Sequence, residues 1–323
     1  MVGNAGKTAL VTGASSGLGF EAAAQLAEKG FSTVIVTARR AGAAEEARAR
    51  LTERTGKDVF AVVALDNGDL DNVEAAAATL SDHGARLDFL LLNAGVASPK
   101  NIARTSAGIE LTVAATLIGH HLLTMRLLER GLLSANARIV IAGSEAARGD
   151  VPTMTPLDVD DFAAAHFDGD LEAAIERQIR MEPPAVYKPN DVYATAKLFV
   201  AWWAAELARR LPDGMTVNAV SPGSTPNTGI TDGTAAYMRF IVAPLLKLLP
   251  GMSHSVADGA GRYLQPLSYD GDVTGKFFAS KPKKMTGPLV EIRMDHVDNE
   301  AAQQALWATT ARLARGISGP PRR

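Results

Sequence analysis

Cysteine is absent from the 323-residue chain. That removes disulfides, thiolate nucleophiles and cysteine-bound metals from consideration, and it suits a reducing compartment. Charge of one sign is also missing, with a formal net charge of −2. No basic stripe is available for a phosphate backbone, so no nucleic-acid partner is expected. The short runs Lys281-Pro282-Lys283-Lys284 and Arg322-Arg323 read as solvated charge. Long apolar runs are lacking as well. The strongest, Met238 to Met252, is short and carries Arg239, Lys247 and two prolines, so no membrane span is expected. A strand-like stretch starts at Lys7, which leaves no room for a signal peptide, and a cytoplasmic protein is the expectation. Six histidines are present, but no HExxH pattern. His120 and His121 are adjacent and point to different helix faces, so no metal site is expected.

What the chain does have is alternation. Short β-branched runs (Thr8 to Ala14, Ser32 to Ala38, Val59 to Asp66, Leu87 to Gly95, Ala137 to Ser144) are separated by alanine-rich helical segments. The longest of these segments runs from Ile109 to Leu133. Strands this apolar are buried on both faces. Their alternation with helices predicts an α/β protein of Rossmann type, a doubly wound parallel sheet with helices on both faces. No repeat or Pro/Gly/Ser linker divides the chain, so a single domain over residues 1–317 is expected, with 318–323 as a disordered tail. Two stretches break the rhythm, an insertion at about 147–190 and a candidate substrate lid at about 224–262.

The first strand–helix junction reads Thr12-Gly13-Ala14-Ser15-Ser16-Gly17-Leu18-Gly19. Glycines there allow a tight turn and close backbone approach, and the helix N-terminus offers N–H donors. Together these form a cradle for a dinucleotide pyrophosphate at Gly13, Ser15, Ser16, Gly17, Leu18 and Gly19. The second strand ends in Ala38-Arg39-Arg40, where an acidic residue would favour NAD. A guanidinium pairs with a 2′-phosphate, so NADP(H) is the expected cofactor, with Arg39 rather than Arg40 as its contact. Asp66, followed by Asn67, is placed either to accept from the adenine amino group or to cap the next helix.

Tyr193 and Lys197 stand four residues apart on a helical run, so their ends can meet; alone, such a pair is equally a coincidence of spacing. Its company decides between the two. The glycine turn, Leu92-Asn93-Ala94-Gly95, a strand ending at Ser144, Tyr193 to Lys197, and Ser221-Pro222-Gly223 occur in that order. This order resembles the short-chain dehydrogenase/reductase family over roughly residues 6–315, and within it the retinol-dehydrogenase and protochlorophyllide-reductase-like branch. The resemblance implies that Tyr193 is the general acid or base, that Lys197 lowers its pKa and holds the nicotinamide ribose, and that Ser144 orients the substrate oxygen. It also implies cofactor contacts from Asn93, Ala94, Gly95, Pro222 and Gly223. Thr228 is placed at the carboxamide, with Thr225 and Asn227 as competitors because the turn carries one extra residue.

Thr116 stands where the family usually has an asparagine supporting a water-linked proton path, so the relay is expected to be altered. The helix from Leu198 to Ala208 is apolar nearly all round and needs cover from the insertion or a second subunit, which leaves monomer and homodimer open. Asp158, Asp160 and Asp161 read as a capping cluster. Apolar residues from Met238 to Leu249 suit a lid over a lipophilic carbonyl or alcohol substrate. The expected activity is carbonyl reduction with NADPH. Reduction of an activated C=C bond and a non-catalytic NADP(H) sensor are the alternatives. A protochlorophyllide substrate is disfavoured because Ser224 replaces the usual cysteine after the Pro-Gly turn.

Overall fold

The computed structural model describes residues 4–82, 84, 86–225, 253–317, 319, 320 and 322. Its centre is an eight-stranded sheet in the order β3-β2-β1-β4-β5-β6-β7-β8. The strands are β1 (Thr8–Val11), β2 (Thr33–Ala38), β3 (Phe60–Ala64), β4 (Leu87–Leu92), β5 (Leu133–Ala142), β6 (Thr216–Val220), β7 (Lys276–Ala279) and β8 (Val290–Glu291). All neighbours pair in parallel except β7 with β8. The order reverses between β1 and β4. That is the switch point at which a parallel sheet opens a crevice beyond its strand ends.

Helices α1 (Gly17–Glu28), α2 (Ala41–Thr55) and α3 (Leu70–Asp82) follow the first three strands. After β4 comes a helical rod made of α4 (Leu111–Val113), a π turn (Ala114–Ile118) and α5 (Gly119–Glu129). The rod ends four residues short of the expected Leu133, because Gly131 takes a positive φ of 65° and turns the chain. β5 accordingly begins at Leu133 rather than Ala137. By composition Leu111–Glu129 is long and apolar enough to cross a membrane, contrary to the sequence expectation, but 83% of its apolar window is buried inside the protein.

The insertion forms α6 (Val159–His166), capped by Asp158, and α7 (Leu171–Arg180). It is stitched to the loop before α4 by Tyr187, whose hydroxyl donates to the Pro99 carbonyl at 2.6 Å, and by Arg104, which donates to the Met181 carbonyl at 2.8 Å. The long helix α8 (Pro189–Ala208) starts with proline at its first turn and an acidic Asp191, both suited to a helix N-terminus.

A cover of α8 that the sequence did not point to comes from the end of the chain. The C-terminal helix Glu300–Leu313 lies along it, and the Trp203 and Trp307 rings stack 6.4 Å apart. Trp202 donates to the His296 carbonyl at 2.7 Å, and Trp203 to Nδ1 of His121 at 3.0 Å. The insertion braces this cover from outside through Arg312, which meets Glu176 at 2.6 Å. Part of the expected lid lies among the described residues. Val256–Leu264 is a helix packed on α1, with Gly259 pressed against Leu18. Asn227, Thr228 and the apolar run from Met238 to Leu249 lie outside the described residues.

Candidate active site

The glycine turn is built to approach other backbone closely. Gly13 and Gly17 have φ of 65° and 60°, conformations that side chains resist. A Cβ on Gly19 would stand 2.5 Å from both the Gly13 carbonyl oxygen and Nδ2 of Asn93. Helix α1 has no acidic residue in its first turn, and its N-cap Ser16 makes no side-chain capping bond. The first-turn N–H groups therefore face outward as anion donors, which fits a pyrophosphate. Arg50 reaches back from α2 to the Ser15 carbonyl at 3.3 Å over the Phe20 ring. Nothing in the local sequence marked it.

Behind this turn lies a network that sequence reading missed. Thr12 Oγ1 accepts the N–H groups of Asn93 at 2.8 Å and Ala94 at 2.9 Å. Its hydroxyl also meets Nε2 of His120 at 2.9 Å, while Nδ1 of His120 meets the Thr116 carbonyl at 2.9 Å. A carbonyl only accepts, so Nδ1 carries the proton and Nε2 takes the hydrogen of Thr12. Burial pushes His120 down to about 3, keeping it in this neutral form. Both histidines are core residues, and no group of acidic or histidine side chains suited to a metal occurs among the described residues.

Several expected cofactor residues act through the turn rather than toward open space. The Asn93 amide donates to the carbonyls of Thr12 at 3.0 Å and Gly13 at 3.3 Å, tying β4 to β1. Asn67 is buried, with Nδ2 on the Ala115 carbonyl at 3.3 Å, so its side chain points inward rather than to a nucleotide. Asp66 does not cap α3. Its Oδ1 accepts from the Gly68 N–H at 2.9 Å, and Asp69 takes the capping place. Arg39 and Arg40 are both exposed at the end of β2. Thr225 packs its methyl against Gly259.

Ser144, Tyr193 and Lys197 are brought together at the ends of β5 and α8. The Tyr193 phenol lies close enough to Ser144 for the two hydroxyls to interact. Ser144 also accepts the Ala146 N–H at 3.2 Å. Lys197 is buried, donates to the Ala142 carbonyl at 2.7 Å, and lies 5.7 Å from the Tyr193 ring centre. Burial brings this ammonium down to about 8. The Tyr193 phenol stands above its ordinary value. Burial raises it most, Ser144 lowers it, and Glu145 raises it further. The lowering by Lys197 that the resemblance implies is not among the influences on the Tyr193 phenol, whose ring centre lies 5.7 Å from the ammonium.

Thr116 lies in the π turn that packs on α8, its Oγ1 buried and without a hydrogen-bond partner, facing Gly95. A Cβ on Gly95 would come 3.1 Å from that oxygen. A π turn inserted in a helix often marks a functional position.

A switch-point crevice with a glycine cradle on one side and a Ser–Tyr–Lys cluster on the other is the arrangement of a dinucleotide-dependent oxidoreductase. Residues 7–167 match the family described as short chain dehydrogenase. Retinol dehydrogenase 13 of Homo sapiens is 31% identical over 321 residues, covering 98% of this chain and 86% of the relative. The chloroplastic protochlorophyllide reductase of Chlamydomonas reinhardtii is 26% identical, covering 97% of this chain and 78% of its own. Among solved structures, a short chain dehydrogenase from Burkholderia cenocepacia in complex with NADP superposes with a TM-score of 0.61 at 24% identity, covering 85% of this chain and 96% of that one. The chain belongs to the short-chain dehydrogenase/reductase family of oxidoreductases, on its retinol-dehydrogenase-like side.

Proposed function

We propose that the protein is an NADP(H)-dependent reductase, reversible in principle, acting on a carbonyl of a bulky lipophilic small molecule. The observation that carries the reading is the meeting of Ser144, Tyr193 and Lys197 where β5 ends and α8 begins, with Lys197 fixed on the Ala142 carbonyl. Tyr193 keeps its proton at neutral pH, which is the form needed to protonate a developing alkoxide. Ser144 holds the phenol and is placed to share the substrate oxygen. Lys197, anchored to Ala142, lies ready to reach a ribose hydroxyl once the crevice is filled. Bound NADPH supplies the hydride. The cradle at Gly13, Ser15 to Gly19 and the Asn93–Gly95 backbone would hold its pyrophosphate and ribose, Asp66 its adenine, and Pro222, Gly223 and Thr225 its nicotinamide end. Arg39, exposed with no carboxylate at the end of β2, would pair with the 2′-phosphate, which favours NADP(H) over NAD(H). A lipophilic substrate is supported by the apolar run from Met238 to Leu249, outside the described residues.

NADPH oxidation against a panel of lipophilic ketones, aldehydes and enones, with Tyr193→Phe in parallel, tests this. The phenol acts in the chemical step, so the variant should lose about 10²–10⁴ in turnover while binding NADPH as before. Products reduced at C=C alone would move the assignment to enone reduction. Tight NADPH binding with no turnover on any class would favour a sensor. Arg39→Ala should weaken NADPH by about tenfold or more with little effect on NADH.

A further inference from the structure

Glu145, the residue after Ser144, is buried and collects more hydrogen bonds than any other carboxylate near the site. Its Oε1 accepts the Ser280 N–H at 3.1 Å, the Ser280 hydroxyl at 3.0 Å and Nη2 of Arg262 at 3.4 Å. Its other oxygen accepts the Ser221 hydroxyl in a short bond. The protons of the cluster can all be placed. Ser221 gives its hydrogen to Glu145 and accepts the Gly223 N–H at 3.1 Å. Ser280 gives its hydrogen to Glu145 and accepts from Nη1 of Arg262 at 3.0 Å. The same Nη1 meets Nε2 of His254 at 2.8 Å, so His254 is neutral there, in keeping with the downward push of burial and of Arg262.

One carboxylate therefore joins the ends of β5, β6 and β7 to the helix Val256–Leu264. On the outer side, Arg148 clamps the same region, donating to the Ser280 carbonyl at 2.6 Å and the Lys284 carbonyl at 2.9 Å. The turn after β6 rests on this assembly. Gly223 has φ of 78°, and a Cβ there would stand 2.6 Å from Nη1 of Arg262. A buried ion pair is a poor device for stability alone, since apolar residues of similar volume often serve as well. Its worth lies in fixing where charged and hydrogen-bonding groups sit, and here they sit under the turn that faces Ser144.

We propose that Glu145, acting through Ser221 and Arg262, is a positioning residue that holds the Pro222–Gly223 turn at the right distance from Ser144 and Tyr193 to seat the nicotinamide end of the cofactor. This rests on the NADP(H) reading above. Among the described residues no hydrogen bond joins Glu145, Ser221 or Arg262 to the glycine cradle or to Arg39, although the Arg262 helix packs on α1 with Gly259 against Leu18, so the adenine end is measured separately.

The test compares the Kd of NADPH with that of adenosine 2′,5′-bisphosphate, which lacks the nicotinamide half. It uses the full-length unaltered protein, Glu145→Gln and Glu145→Gln/Arg262→Met, with thermal unfolding alongside. Glu145→Gln should weaken NADPH by about tenfold or more and leave the bisphosphate unchanged. The double variant removes the orphaned guanidinium and should recover thermal stability without recovering NADPH affinity. If it recovers both, the cluster is structural only and the proposal falls. It also falls if Glu145→Gln binds both nucleotides as the unaltered protein does. An unaltered protein that binds neither nucleotide removes the cofactor reading itself, and the clamp with it.

Discussion

Lys197 lies under the ring of Tyr193, 5.7 Å from its centre, yet the hydrogen bond it makes is to the Ala142 carbonyl at 2.7 Å. The two residues expected to act as a pair are neighbours without a direct bond between their polar ends. Ser144, not Lys197, is the neighbour that lowers the phenol's pKa. The ammonium is held in place by the sheet, and its charge remains poorly solvated.

That arrangement has a stability consequence. Burial brings Lys197 from 10.5 to about 8, so the folded state holds its proton less tightly than the unfolded state does. Between pH 8 and 10.5 the unfolded chain binds more protons, so stability rises with pH across that window. Below pH 8 the full cost, about 3 kcal/mol, is present. Lys197→Met removes that cost but leaves the Ala142 carbonyl without its donor, a loss of about 1–3 kcal/mol. The unliganded variant should therefore be as stable as the unaltered protein at pH 7, or up to about 2 kcal/mol more so. Urea unfolding at pH 7 and pH 10 measures this. The unaltered protein should gain on the variant at the higher pH, and a loss there would contradict the assignment.

The two core histidines make a prediction of the same sign at acid pH. His120 and His121 are held at about 3 and about 4 by burial. The unfolded chain takes up protons as pH falls through 6.5 while the folded protein does not, so stability is lost from there down to about 3–4. Each histidine should contribute a loss of about 2 kcal/mol between pH 7 and pH 5. His120→Gln keeps a donor for Thr116 and an acceptor for Thr12 but has no charge to gain. Its unfolding midpoint should fall less between those two pH values, and an equal fall would exclude His120 as a source.

Gly19→Ala should fail locally rather than globally. The added methyl meets the Gly13 carbonyl and the Asn93 amide at 2.5 Å, both part of the turn itself. Crowding of this kind costs about 1–3 kcal/mol. Because the displaced atoms shape the cradle, nucleotide affinity should drop more than tenfold. Isothermal titration with NADPH, together with a melting curve, separates the two effects. Unchanged affinity would place the dinucleotide elsewhere.

The C-terminal helix should be indispensable to the core. Trp307 stacks on Trp203, sits 4.9 Å from the His121 ring and carries the Arg210 guanidinium at 4.8 Å. Trp307→Ala should cost about 3–5 kcal/mol. Denaturant unfolding checks the size, and a loss under about 1 kcal/mol would mean that α8 has another cover. Sedimentation of the same variant tells whether the uncovered α8 then recruits a second copy.

Much of the framework was legible because it is local. Strand, glycine turn and helix are contiguous between Thr8 and Glu28, and the Tyr193–Lys197 spacing is one helical turn. The alternation of apolar strands with helices gave the parallel sheet in the same way. Legibility failed where the outcome depended on what the fold brings alongside. The rod of α4, the π turn and α5 reads as helix up to Leu133 when the stop signal at Gly131 is passed over, and no local residue announces that β4 will pair with the residues after it. Asp66 and Asp69 both satisfy a capping pattern, and only the backbone geometry chose Asp69.

The amino-acid sequence by itself determined the order of strands and helices, the glycine turn, and the spacing of Ser144, Tyr193 and Lys197 along the chain. Each of these is written in residues a few positions apart, where backbone preference and helical or strand periodicity act. Only the tertiary structure decided that Lys197 bonds to Ala142, that Thr12 and His120 brace the cradle, that Glu145 meets Arg262, and that the C-terminal helix covers α8. Those outcomes join residues from 55 to 117 positions apart, or lay one element across another. They are set by desolvation and by the need to satisfy every buried polar group, and neither operates until the chain has closed around them.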